Sequence, residues 1–139
     1  MPAKDLFHEA VKNALIKEGW TITDDPLHLR ISLKVDFYID LGAEKMFAAE
    51  RGEEKIAVEV KSFVGNSDIS EFHTALGQFL NYQDALEIKE PARILFLAVP
   101  IDTYDTFFQD AFILNSINKH KLRILVYNPT EEVIKQWIK

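Results

Sequence analysis

The sequence predicts an α/β domain built on a mixed sheet, and three observations carry that reading. Residues Ala3 to Glu18 repeat apolar positions at helical spacing. Arg93 to Val99 (R-I-L-F-L-A-V) has no polar face, as a strand covered on both sides requires. Between and after them helical and strand-like periods alternate, in the order α-β-(β)-β-β-α-β-α-β-α, with no internal repeat and no linker. A single domain over 1–139 is expected, long enough to bury a substantial core.

The first helix carries its stripe on Leu6, Ala10, Val11, Ala14 and Leu15, and Gly19 is placed to stop it. Trp20 to Thr23 reads as a short strand entering the turn signal Asp24-Asp25-Pro26. Leu27 to Leu41 alternates apolar residues without a clear break. Lys45 to Glu50 and Glu54 to Phe63 read as two strands joined around Arg51-Gly52-Glu53. Gly65-Asn66-Ser67 is a loop, and Ser67 or Ser70 is placed to cap a helix from about Ile69 to Ile88 with Phe72, Leu76, Phe79, Leu80 and Leu86 inward. After the apolar strand, Tyr104 to His120 has helical spacing, with Phe107, Phe108 and Phe112 expected in the core. Leu122 to Tyr127 is a last strand, and a short helix is expected from Thr130.

Composition narrows the function classes. Of 139 residues, 47% are hydrophobic and 27% charged, an ordinary globular balance. The absence of cysteine excludes disulfides and thiolate zinc sites. The N-terminus has no signal-peptide core and no run is long enough to span a bilayer, so a cytoplasmic protein without membrane association is expected. The net charge of −6 argues against non-specific coating of nucleic acid.

The chemistry concentrates in Glu59-Val60-Lys61, within K-I-A-V-E-V-K-S-F. Alternation sends Ile56, Val58 and Val60 to one face and Ala57, Glu59 and Lys61 to the other. A carboxylate and an ammonium thus leave an otherwise buried strand side by side, where charges are rare unless paired or bound to metal. A carboxylate can hold Mg²⁺ and a lysine can orient water, which points to metal-assisted hydrolysis of phosphodiesters. Asp40 lies ahead of the hairpin whose second strand carries Glu59, and adjacent strands lie about 5 Å apart, close enough to share a cation. Glu9 sits on the first helix beside His8, and Gln78 shares a helical face with Glu71 and Tyr82.

Together these residues resemble the PD-(D/E)xK nuclease superfamily. Its core runs α-β-β-β-α-β, with an acidic residue on the first helix, an Asp at the second strand and (D/E)-x-K on the third. The match falls on Glu9, Asp40, Glu59 and Lys61, and Gln78 in A-L-G-Q-F-L-N-Y suits the glutamine that several members add. Ile39 replaces the proline usual before the Asp. The resemblance implies a restriction-endonuclease-like fold, a central mixed sheet flanked by helices. A second resemblance covers nearly the whole chain. M-P-A-K-D-L-F-H-E-A-V-K-N-A-L, E-G-W-T-I-T, Y-I-D-L-G-A-E-K, I-A-V-E-V-K-S-F, A-L-G-Q-F-L-N-Y and L-F-L-A-V-P are similar to the XisH family of fdxN element excision controlling factors. That resemblance implies programmed, site-specific excision of a DNA element, with DNA, an XisI-type companion and a site-specific recombinase as partners.

The resemblance implies roles for each residue. Asp40, Glu59 and the Val60 carbonyl would hold Mg²⁺ or Mn²⁺, and Lys61 would position water or neutralise developing charge. Glu9 would hold a second metal or a ligating water, and Gln78 would fix Lys61 or a phosphate. Glu44 is a further acidic candidate. A homodimer is expected because cutting both strands of a duplex takes two sites. Each role has a plain alternative: Lys61 as an ion-pair partner of Glu59 or Asp40, Glu9 and His8 as helix-surface residues, Gln78 as a structural hydrogen bond. The whole chain likewise has an alternative, a non-catalytic accessory protein with a nuclease fold that works by binding XisI or the recombinase.

Overall fold

The structure is a computed structural model that describes residues 3–39, 41–46, 53–65 and 67–139; the side chains of 3–5, 39, 41–46 and 53 are outside that description. The elements are α1 (Ala3–Lys17), β1 (Thr21–Asp24), β2 (Leu27–Arg30), β3 (Asp36–Ile39), β4 (Leu41–Met46), β5 (Glu53–Val60), α2 (Asp68–Lys89), β6 (Arg93–Pro100), α3 (Ile101–Asp105), a 3₁₀ turn (Phe107–Gln109), α4 (Ala111–His120), β7 (Ile124–Asn128) and β8 (Val133–Ile138). Six strands form one mixed sheet in the order β1-β4-β5-β6-β7-β8, and β2 and β3 form a separate hairpin. β5, β6 and β7 run parallel, while β1–β4, β4–β5 and β7–β8 are antiparallel. The expected mixed sheet flanked by helices is what the chain forms.

Helix α1 stops where glycine permits it. Gly19 takes φ +87°, Trp20 N donates to Leu15 O at 3.1 Å and Gly19 N to Ile16 O at 3.0 Å, the paired bonds that close a helix onto a left-handed residue. Ala10, Val11, Ala14 and Leu15 are buried, but Leu6 is exposed, so the stripe is shorter than its spacing suggested. Ser67 caps α2 by accepting from Ser70 N at 3.3 Å. Phe72, Ala75, Phe79, Tyr82, Ala85 and Leu86 are its buried face, whereas Leu80, expected inward, is exposed.

Each face of the sheet has its own core. One joins α1 and Trp20 to Ile56, Val58, Phe96, Ala98, Leu125 and Tyr127. The other joins α2, α4 and the β2–β3 hairpin to Ala57, Leu95, Leu97, Val99, Ile124 and Val126. This is the alternation read from the sequence, with successive residues of β5 and β6 serving opposite cores.

The strand expected from Lys45 begins instead at Leu41, and two of the expected helices also fail. The segment Tyr104 to His120 is not one helix: α3 and the 3₁₀ turn precede α4, which restarts at Asp110, whose carboxylate accepts from Phe112 N at 2.9 Å. Phe108 is buried within a cluster of rings with Phe63, Phe72 and Phe107, but Phe112 is exposed. The expected C-terminal helix is instead strand β8. Asn128 Oδ1 accepts from the backbone N–H of Thr130 and Glu131 at 2.9 Å each, and this turn folds β8 back on β7. Trp137 then lies 4.9 Å from Phe96 and 5.8 Å from Trp20 between ring centroids, capping the α1-side core.

Candidate active site

The parallel strand β5 ends at Val60, and its continuation forms the floor of a cleft of about 570 Å³. Phe7 and His8 of α1 line one wall, Asp25 and Pro26 of the β1–β2 turn another, and Val64, Gly65 and Glu71 the approach to α2. Glu59, Val60, Lys61 and Ser62 lie between them. Crevices at the carboxyl ends of strands are where open α/β sheets most often place ligands.

The backbone at Lys61 is held on two sides. Lys61 N donates to Ala98 O at 3.0 Å, extending the β5–β6 ladder one residue past the strand. Tyr127 Oη donates to Lys61 O at 3.2 Å from a fully buried position on β7, with Phe7 edge-on to its ring at 6.4 Å. Just beyond, Phe63 adopts φ +54° and turns its ring 5.4 Å from Phe108, so the chain leaves the cleft on an anchored residue. A left-handed conformation is unfavourable for a bulky side chain, and ring burial offsets that cost.

Glu59 is 5% exposed. Lys61 Nζ lies 3.4 Å from Glu59 Oε1, and both side chains are largely withdrawn from water. The pair thus has the desolvated setting in which a carboxylate and ammonium interact strongly. The wall carries a second charged group: His8 Nε2 lies 2.9 Å from Asp25 Oδ1, and Lys12 Nζ donates to Asp25 Oδ2 at 3.2 Å.

The structure brings Glu59, Val60 and Lys61 into one cleft, together with His8. Asp40 lies outside the described residues; the next residue, Leu41, pairs with Val58 on β5. Glu9 is exposed and is not part of the cleft's lining, although its neighbour His8 is. Gln78 also stands apart from the lining, two helical turns beyond Glu71 on α2, with its Oε1 buried and making no hydrogen bond among the described residues. Glu44 pairs with Lys55, four residues before Glu59 on β5, which is about 13 Å along a strand. Asp25 and Glu71 line the cleft without having been singled out in the sequence. His8 and Lys12, one turn apart on α1, are the only sequence trace of the Asp25 contact.

Among the described residues no three His, Asp or Glu side chains gather as a metal site. The donors present at the cleft are nevertheless hard oxygens, the Glu59 carboxylate and the Val60 carbonyl. Mg²⁺ asks for one or two carboxylates, completed by water and phosphate oxygens, so this donor set suits it. No helix among the described residues is long and apolar enough to cross a membrane.

Residues 1–135 match the family model of the XisH protein. The chain belongs to the XisH family. Two crystal structures share the backbone of this XisH chain. An XisH family protein from Nostoc punctiforme is 50% identical, with a TM-score of 0.89, covering 97% of this chain and 100% of its own. A fdxN element excision controlling factor protein from Anabaena variabilis is 52% identical, with a TM-score of 0.88, covering 97% and 99%. No functionally curated protein matches this XisH chain.

Proposed function

We propose that this chain is an excision controlling factor in programmed, site-specific excision of a DNA element, and that it hydrolyses DNA phosphodiesters with Mg²⁺ or Mn²⁺. One observation carries the reading: buried Glu59 and half-buried Lys61 lie 3.4 Å apart in a cleft at the end of a parallel strand. The order α1, a β4–β5 hairpin, α2 and β6 is compatible with the PD-(D/E)xK core, with Glu59-Val60-Lys61 at the end of β5. The pairing of Leu41 with Val58 supports Asp40 as the second carboxylate.

Glu59, Asp40 and the Val60 carbonyl would hold the metal, which when bound supplies charge stabilisation at the scissile phosphate and acidifies a water. Lys61 Nζ orients the attacking water and offsets charge developing on the phosphate oxygens. Tyr127 holds the Lys61 backbone, and the low exposure of the pair excludes competing water. Attack on phosphorus forms one P–O bond as the bond to the leaving sugar oxygen breaks. Two such sites, in a homodimer, would cut both strands of a duplex.

A second reading is favoured by the charge of the cleft. Asp25, Glu59 and Glu71 outnumber Lys61 among its permanently charged residues, in a chain of net charge −6. A non-catalytic accessory protein, acting through an XisI-type companion or a recombinase, fits that balance. Supercoiled, linear and branched DNA incubated with the protein and Mg²⁺ or Mn²⁺ separates the two. Cleavage abolished by Glu59→Ala and Lys61→Ala supports the nuclease; no cleavage on any substrate, with tight binding of XisI, supports the accessory protein.

A further inference from the structure

The β2–β3 hairpin stands apart from the main sheet, and its first strand follows directly on Asp25 and Pro26 of the cleft wall. One face belongs to the core: Leu27 and Leu29 are buried, and Phe37 meets Tyr82 edge-on at 5.4 Å. The opposite face is exposed, with the His28 ring stacked on Tyr38 at 4.4 Å and bonded to Asp36. The tip is ordered rather than loose. Ile31 N and Ser32 N donate to Val35 O at 3.0 and 3.1 Å, and Ser32 Oγ accepts from Lys34 N and Val35 N at 3.3 and 3.1 Å. That turn presents Leu33 at its apex, 91% exposed.

A solitary exposed leucine is unremarkable on any surface. Here it sits on a pre-formed turn, with Val35 and Tyr38 also exposed on the same hairpin and Arg30 and Lys34 beside it. From Leu27 to Ile39 the charges are Arg30 and Lys34 against Asp36, two minus one, or +1, in a chain of net charge −6. The hairpin is therefore locally basic in an acidic protein, which favours a polyanion over a basic or neutral partner. An apolar wedge flanked by basic side chains is how minor-groove proteins part adjacent base pairs. An ordered tip also loses little conformational freedom on binding.

We infer that the β2–β3 hairpin is a DNA-binding finger, with Leu33 inserted between base steps while Arg30 and Lys34 contact phosphates. The inference rests on the reading that this chain acts on DNA. Pro26 to Leu33 spans seven residues, at most about 23 Å of strand, so the finger engages DNA within roughly seven base pairs of the cleft.

Fluorescence anisotropy of a labelled duplex containing 2-aminopurine, in EDTA so that nothing is cut, tests this on the full chain. Wild type is expected to bind and to brighten 2-aminopurine as bases unstack. Leu33→Ala abolishes the brightening and weakens binding about tenfold. Arg30→Ala with Lys34→Ala lowers the slope of log K against log salt by nearly two. Lys89→Ala, at the far end of α2, changes neither. Absent binding by wild type, absent brightening, or hairpin variants indistinguishable from wild type would each overturn the finger. So would a Leu33→Ala protein that changes sedimenting mass while binding DNA normally, which marks a protein contact instead. Hairpin-dependent binding without cleavage on adding Mg²⁺ or Mn²⁺ sinks the nuclease reading alone; cleavage indifferent to the hairpin sinks the finger alone.

Discussion

Lys61→Met, with the buried pair as its target, separates a structural ion pair from a metal-binding one. At 3.4 Å, opposite unit charges attract by about 5 kcal/mol at an effective dielectric of 20, and desolvation opposes much of that. Deleting the lysine leaves the Glu59 carboxylate buried without its ammonium, which costs roughly 3 kcal/mol. That is a large share of the 5–15 kcal/mol typical of a domain, and about 10 °C in melting temperature at this chain length. Glu59→Gln added to Lys61→Met is expected to recover most of the loss, because both charges are then gone. Urea unfolding followed by circular dichroism, in EDTA and in saturating MgCl₂ or MnCl₂, measures all four corners of the cycle. If Glu59 is a metal ligand, metal at a hundredfold excess over Kd restores about 2.7 kcal/mol to Lys61→Met and nothing to either Glu59→Gln protein. A Lys61→Met protein as stable as wild type, or one indifferent to metal, refutes the reasoning.

Tyr127→Phe removes the donor to the Lys61 carbonyl at a fully buried position; a loss of about 1 kcal/mol is expected by urea titration and, under the proposed nuclease reading, slower cleavage at unchanged DNA affinity. Ser67→Ala deletes the α2 cap and is expected to cost about 1 kcal/mol, with Ser67→Asp restoring it. Trp137→Ala opens the half-buried junction with Phe96 and Trp20; roughly 2 kcal/mol is expected, together with loss of near-ultraviolet circular dichroism.

Where periodicity and local chemistry agree, the fold was legible. The apolar run Arg93 to Val99, the Gly19 stop and the Ser67 cap each led to an element that exists. The misses share a cause. Phe107, Phe108 and Phe112 recur at helical spacing, but period alone does not reveal that Asp110 restarts the helix and turns Phe112 to solvent. In Val133 to Ile138 the apolar residues suit either a short helix or an edge strand. Tertiary packing decides between them, because Trp137 covers Phe96 and Trp20 only from an extended chain. The signal that favoured the strand was the Asn128-Pro129-Thr130 turn, a local feature that outranks weak propensity.

The site divides in the same way. Glu59 and Lys61 stand two residues apart where β5 ends, so alternation alone sends them to one face, and both line the cleft. Asp25 reaches His8 and Lys12 across 17 and 13 residues of chain, and no period encodes such a distance. Its aim follows from where the β1–β2 turn is pinned, which depends on Leu27 and Leu29 docking under α2. Glu9 illustrates the converse. Its position beside His8 is fixed by sequence, yet the helix rotation set by Ala10, Val11 and Ala14 gives the cleft to His8 and leaves Glu9 exposed. A charged residue on a helix is therefore placed by its apolar neighbours, and a one-residue step around α1 decides which side chain lines the cleft.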